Sequence, residues 1–348
     1  MLFGLYAPIP MATVGSPEAV RAAQQALEPL QSGSRDIQFD HSRDLILAAD
    51  RSGFDLCLYA ERHLGNDLAA WVLASSIAAQ CERMRALVAV HPGLVDPVMI
   101  AKLSVSLDRI SRGRMALNIV NGWFDEEFKM FGGAVLDGDA RYKRAGEFID
   151  ILRGLWTQDE FSIQGEHFNL DRARLLLKPA TPTAPEIFSV SAGDKGRDFI
   201  AQYCDWWFIN YPKKAETTDD VLRGVEDCIV DMDKRSARFG RKVRYGMNPF
   251  VALGATEKEA IDQTIQTIFA YDPDPDPRKI QLRMMPATKA GLMGPARQVR
   301  DQMRRFNELG LDLILCKMIP TVENIERIGE EIVRPCAAFS SAREALSA

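Results

Sequence analysis

The 348-residue chain is short of the features that announce a chemistry by themselves. Its six cysteines (Cys57, Cys81, Cys204, Cys228, Cys316 and Cys336) are scattered without a CxxC spacing, which speaks against a zinc site or a redox dithiol and reads as buried reduced thiols. No GxSxG elbow, HExxH pair or P-loop is present, so hydrolysis by these devices is disfavoured. No apolar run reaches the roughly 18 residues of a membrane helix, and MLFGLYAPIP lacks a basic region followed by a long apolar stretch. A cytoplasmic protein is expected. The net charge of −5 leaves no basic footprint for nucleic acid. Histidines number four, so any that fall at a strand end stand out.

What is present is alternation. Short apolar runs recur at 2–6, 56–59, 86–90, 115–120, 187–191, 206–210, 248–254 and 311–316. Stretches with helical spacing separate most of them, among them SRDLILAADRSG, VMIAKLSVSLDRIS and DARYKRAGEFIDILRGLW. Near-continuous apolar strands imply burial on both faces. Strand followed by helix, repeated eightfold, then predicts an α/β fold of the (β/α)8 TIM-barrel type, one domain over 1–348. An open doubly wound sheet is the alternative, but no GxGxxG follows a strand. Interruptions are expected near 157–186, where FSIQGEHFNL reads as a hairpin, and near 270–294, where YDPDPDP breaks any helix. Such excursions serve as active-site cover or dimer contacts.

In a barrel the carboxyl ends of the strands carry the site. They deliver Ala60-Glu61-Arg62-His63, His91-Pro92-Gly93, Asn118 to Glu127, Ser191-Ala192-Gly193 and Asn210-Tyr211. His41 and His167 fall elsewhere and read as surface or capping residues. His63 is either a loop histidine salt-bridged to Glu61 or a residue contacting a bound ring. His91 is either bonded within a turn before Pro92 or lines the pocket. Polar amides at strand ends suit an organic heterocycle, and the small residues from Ser191 to Gly196 suit a phosphate at a helix amino terminus. Asp125 and Glu126 read as favourable charges in a first helical turn. No metal site is expected.

Taken together these segments resemble the bacterial luciferase-like superfamily of flavin-dependent barrels. LDRISRGR (107–114) resembles the family's Asp-x-x-Ser-x-Gly-Arg element, whose role is structural: Gly113 ends a helix and Arg114 leads into a strand. NIVNGW, the acidic stretch after it and DARYKRAGEFIDILRGLW resemble the two-component, FMNH2-dependent monooxygenases of sulfur metabolism. Dimethyl sulfone monooxygenases are nearest; alkanesulfonate and pyrimidine ring-opening enzymes lie further off.

The resemblance implies FMN, delivered as FMNH2 by a separate NAD(P)H:FMN reductase, and oxygen transfer from a peroxyflavin to a small sulfone- or sulfonate-like compound. It implies Asn118 at the chemistry, and the strand-end histidines His63 and His91 stand beside it as catalytic candidates. Ala60 and Glu61 would meet the flavin ring, and Glu127, Arg141 and Tyr142 its tail, with Arg141 as a fork for phosphate. Ser191, Ala192 and Gly193 match the phosphate loop, although relatives tend to carry Gly-Gly-Ser-Ser there. Trp123, Asn210, Asn248 and Phe250 would face the substrate. Sulfonate enzymes carry cationic groups at the positions of Asn248, Phe250 and Thr321, and their absence here favours a neutral substrate. Arg283 and Lys289, in the second interruption, are candidates to meet an anion. A homodimer or homotetramer is expected. The competing readings are oxygenation of another small heterocycle such as a pyrimidine, a deazaflavin (F420)-dependent oxidoreductase, and a non-catalytic flavin-binding relative.

Overall fold

The structure, a computed structural model, describes residues 1–7, 37–61, 63, 68–122, 125–212, 215–271 and 288–339. Eight parallel strands close into a barrel in the order β1 (Leu2–Tyr6), β12 (Leu313–Cys316), β9 (Arg244–Met247), β8 (Trp206–Ile209), β7 (Glu186–Val190), β4 (Met115–Ile119), β3 (Arg85–Val90) and β2 (Leu56–Tyr59). Closure leaves no edge strand, and the outward side chains, such as Val88, Leu117 and Tyr245, pack under the surrounding helices. The seventh barrel strand differs from expectation: it is Arg244–Met247, and 248–254 forms its exit, where Ala252–Leu253 (β10) pairs with Met293–Gly294 (β11). A charged start and an inward glycine hid it. A Cβ on Gly246 would lie 3.1 Å from the Phe208 ring and 3.3 Å from Leu313, so glycine there spares both neighbours a shift of a few tenths of an ångström.

Inward residues form three tiers. At the amino-terminal end Arg85 and Glu186 pair at 2.6 Å, and the Arg244 guanidinium lies 4.1 Å from the Trp206 ring centroid. Above them Leu56, Leu87, Ala116, Phe188, Trp206, Leu313 and their neighbours make a dry middle, with Phe188 and Trp206 stacked at 4.9 Å. The barrel is therefore a core, not a pore, and function is confined to its open carboxyl end.

The LDRISRGR element lies at the opposite end and holds it shut. Helix α3 (Pro97–Ile110), opened by Asp96 accepting from Met99 N at 2.9 Å, ends ahead of Gly113, whose φ of +83° suits glycine. Asp108 accepts from Ala180 N at 2.6 Å. Arg114 then donates to three carbonyls, Met84 at 2.6 Å, Cys81 at 2.8 Å and Ala78 at 3.2 Å, tying the end of helix α2 (Ala70–Ala78) and the start of β3 to β4. The hairpin β5 (Phe161–Gln164) and β6 (Asn169–Ala173) lies outside the barrel order. Glu147 of helix α5 (Gly138–Thr157) accepts from the backbone N–H groups of Glu166, His167 and Phe168 in its turn, which is the bonding that His167 shares in. Residues 272–287, including Arg283, and residues 8–36 lie outside the described residues.

Candidate active site

Strand parity builds the mouth. Leu56 and Leu58 point inward, so Ala60 follows; Leu87 leads through Ala89 to His91, and Ala116 leads to Asn118. The same count carries Phe208 to Asn210 and Gly246 to Asn248. The structure thus brings together on one rim the residues expected at the ends of strands two, three, four, six and seven. Three amides and a histidine stand where the tiers below carry leucines and aromatics. Asn118 is buried, and its Oδ1 meets no donor; the buried Asn248 Oδ1, Asn121 Oδ1 and Tyr211 hydroxyl are in the same condition. Each such group costs about 1–3 kcal/mol when left dry, so each marks a place at the carboxyl end of the barrel where a ligand or a water would bond.

The two histidines sit side by side, ring centroids 5.8 Å apart, with Phe131 against His63 at 5.6 Å. His63 N donates to Glu127 Oε1 at 2.7 Å, and the Glu61 carboxylate accepts from Ala70 N at 3.0 Å, so both carboxylates brace backbone around the mouth. His91 Nε2 lies 3.2 Å from the Glu61 carbonyl. A carbonyl can only accept, so Nε2 carries the hydrogen and the buried Nδ1 presents its lone pair. Burial lowers the His91 pKa, against the pull of Glu127, and keeps the ring neutral near pH 7.

Beyond β7 lies a second cluster. Ser191 is oriented by Trp207 Nε1, which donates to its carbonyl at 3.1 Å, and its Oγ sits 3.3 Å from the Tyr142 hydroxyl. Both pack on Gly196, where a Cβ would lie 1.9 Å from Ser191 Oγ and 2.5 Å from the Tyr142 oxygen. Gly193 starts helix α6 (Asp194–Tyr203) with no side chain capping it, and the ideal Cβ of Gly193 would meet open space. Two hydroxyls thus converge on bare backbone N–H groups and the positive end of a helix, an arrangement that favours an anion. β4 and β7 are adjacent, with Ile119 paired to Ser189 and Ser189 Oγ donating to Ile119 O at 2.7 Å, so this cradle and Asn118 rise from neighbouring strands.

Other expected residues land differently. Arg141 donates to Gly122 O at 3.1 Å, Asp125 at 3.2 Å and Leu136 O at 3.2 Å. It straps the turn after β4, where Gly122 has φ +77°, to the short helix α4 (Asp125–Met130). Asp125 and Glu126 are exposed in that helix's first turn, as a favourable dipole charge would be. Lys289 Nζ donates to Ala215 O at 2.8 Å. Trp123 lies outside the described residues. Phe250 pairs with Lys317 across β9 and β12, and Lys317, with Tyr6, was missed. Counting two from Leu315 and two from Gly4 would have found both. Arg144, also missed, is buried beneath the His91 turn, donating to Ala134 O at 3.2 Å. Among the described residues no group of three or more His, Cys, Asp or Glu could hold a metal, and no helix is long and apolar enough to cross a membrane.

Comparison with known proteins decides the family, because a model described as luciferase-like monooxygenase matches residues 20–313. The chain belongs to the luciferase-like monooxygenase family. It is 28% identical over 323 residues to an FMNH2-dependent dimethylsulfone monooxygenase of Pseudomonas putida, a match covering 84% of this chain and 87% of the relative. A monooxygenase from Streptomyces bottropensis shares the fold, with a TM-score of 0.72, 18% identity, and 96% and 99% of the two chains covered. So does an F420-dependent secondary alcohol dehydrogenase, with a TM-score of 0.68, 16% identity, and 95% and 98% covered. At those identities the likeness concerns the barrel alone.

Proposed function

We propose that this luciferase-like protein is the oxygenase component of a two-component system. It takes reduced FMN from a separate NAD(P)H-dependent reductase, uses dioxygen, and oxidises a small organosulfur compound of the sulfone or sulfonate kind. The observation that carries the reading is the pairing of an anion cradle (Tyr142, Ser191 and the head of α6) with the unsatisfied Asn118 amide on the adjacent strand β4. The dimethylsulfone monooxygenase relative supports the substrate class.

The donors present fit FMN. Tyr142, Ser191 and the N–H groups following Gly193 would hold its phosphate, and the inward amides would meet the polar edge of its ring. Arg141 enters as a brace for the turn after β4 and not as a phosphate fork, because its terminal nitrogens already donate to Gly122, Asp125 and Leu136. Glu127 likewise braces His63. When bound, reduced FMN supplies the two electrons that activate dioxygen, so that one oxygen reaches the substrate and the other leaves as water. The protein's own residues position and shield. Asn118 orients the reacting partners, neutral His91 offers Nδ1 as an acceptor for a proton at the mouth, and the His63–Phe131 wall limits water.

The test is a panel of sulfones, sulfonates and pyrimidines incubated with the protein, dioxygen and reduced FMN, and scored by product mass. A protein-dependent product from a sulfone or sulfonate is expected. Product from pyrimidines alone would replace the substrate class, and substrate oxidation with F420 in the absence of oxygen would replace the reaction.

A further inference from the structure

We infer that the cleft between the first turn of helix α7 (Thr218–Ala237) and the helix that runs from Ala296 to Glu308 is a second ligand site, which takes a sugar phosphate or a similarly polar organic phosphate. It lies apart from the mouth: among the described residues none of the rim residues lines it, and neither Tyr142 nor Ser191 does. The inference goes beyond the proposed function and stands without it.

Topology makes the cleft. β8 leads into α7, and β11 leads through Pro295 into the helix Ala296–Glu308, so the starts of two helices face one space of about 800 Å³. Gly291, with φ +69°, sits between them, since a Cβ there would lie 3.4 Å from both Gln302 Cγ and Thr218 Cγ2. The two starts differ in what they leave open. On α7 a capping box is closed, with Asp220 N donating to Thr217 Oγ1 at 3.2 Å and Thr217 N to the Asp220 carboxylate at 2.9 Å. Pro295 gives the other helix no side-chain cap. Its first intrahelical bond runs from Val299 N to Pro295 O, so the N–H groups of Ala296, Arg297 and Gln298 stand at the positive end of the helix dipole.

Gln302, on the same lining face, gives an independent sign of a ligand. It is 5% exposed, its Oε1 accepts from Arg305 Nη1 at 3.2 Å, and its buried Nε2 meets no acceptor. The bond to Arg305 fixes which way the amide points, and a buried donor without an acceptor calls for one.

Charge decides what that acceptor belongs to. Asp219 takes Arg305 at 2.6 Å, and Asp301 turns to Arg304 at 3.3 Å. Arg297 also lines the cleft and stands four residues before Asp301, yet no carboxylate among the described residues pairs with it. The groups left open are thus all donors: a guanidinium, an amide nitrogen and the N–H groups of a helix start. An oxyanion answers all three, and a phosphate suits a planar fork and a helix start together. The space is larger than a bare phosphate needs, and the lining carries no aromatic side chain on which a base could stack. Its threonines and Gln298 suit hydroxyl groups, which favours a sugar body over a nucleotide.

Glucose 6-phosphate, glucose and AMP are the probes, each titrated calorimetrically into the wild type, Arg297→Gln, Gln302→Leu and Gly196→Ala. The wild type is expected to bind glucose 6-phosphate saturably, glucose at least about tenfold more weakly, and AMP no tighter than glucose 6-phosphate. Arg297→Gln should weaken glucose 6-phosphate about tenfold to a hundredfold, and Gln302→Leu about threefold to tenfold. Gly196→Ala crowds the flavin cradle and should leave that affinity within about twofold of the wild type. Arg297 is exposed, so its replacement spares the packing, which a thermal melt checks; should Gln302→Leu fail to fold, Arg297→Gln decides alone. Absence of saturable glucose 6-phosphate binding by the wild type, unchanged binding in Arg297→Gln, glucose binding equal to that of its phosphate, or tighter binding of AMP each overturns the inference. Loss of glucose 6-phosphate in Gly196→Ala but not in Arg297→Gln would assign the phosphate to the flavin cradle and overturns it too.

Discussion

Gly196→Ala places a methyl carbon 1.9 Å from Ser191 Oγ and 2.5 Å from the Tyr142 phenol oxygen. Ordinary contact begins near 3.4 Å, so the two hydroxyls must retreat by about 1 to 1.5 Å. Overpacking of this kind costs about 1–3 kcal/mol of stability, a fall of a few degrees in melting temperature. The larger effect belongs to the ligand. A hydrogen bond to a charged group contributes about 1.5–3 kcal/mol, so losing one to a phosphate weakens reduced FMN about tenfold to a hundredfold. Reduced riboflavin has the same ring without the phosphate, and it is expected to bind wild type and variant within about threefold of each other. Anaerobic fluorescence titration with both ligands, beside a thermal melt, separates the terms. Equal weakening of FMN and riboflavin would show general damage to the mouth, and unchanged FMN binding would remove the phosphate from this cradle; either refutes the reasoning.

Asn118→Ala removes a buried amide whose oxygen meets no donor, so the fold should hold while oxygen consumption uncouples from product; paired electrode and product measurements check this, and unchanged coupling counts against its role. His91 is kept neutral by burial, so its folded pKa lies below its unfolded value of about 6.5. As pH falls through that value the unfolded chain gains a proton the folded chain resists, and stability should decline between the unfolded and folded pKa values, with no contribution above them. His91→Asn should flatten that decline in urea unfolding series; an unaltered pH slope would contradict it. Arg114→Met leaves the Met84, Cys81 and Ala78 carbonyls without their donor and should cost about 3 kcal/mol in denaturant unfolding. Because Arg114 lies at the closed end, reduced-FMN affinity should stay as in the wild type.

Most of the barrel could be read in advance because strands buried on both faces are written as continuous apolar runs, such as LCLY and ALVAV. Arg244–Met247 escaped for the opposite reason. Its residues meet three different demands: an ion at the closed end, a glycine in the crowded middle and an apolar face outward. At the site, Ala60, His91, Asn118 and Asn210 could be placed at strand ends because each sits where an apolar run turns polar. Asn248 follows from the family resemblance alone, since the sequence reads it as the first residue of the seventh strand and not as its exit. Lys317 was passed over since LDLILC reads as an ending, and only counting inward positions past Cys316 shows that the barrel face continues. Arg141 shows the limit of residue chemistry as a guide. A guanidinium suits a phosphate and also suits backbone carbonyls, and what lies within 3.2 Å decides between them.

The account stands most directly on the fate of dioxygen. The protein, chemically reduced FMN and a sulfone or sulfonate are mixed under oxygen-18 gas, and the product is weighed by mass spectrometry. One labelled oxygen per product molecule, absent when either protein or reduced FMN is omitted, is the predicted result. Label found solely in hydrogen peroxide and water, with the substrate untouched across the panel, would contradict it.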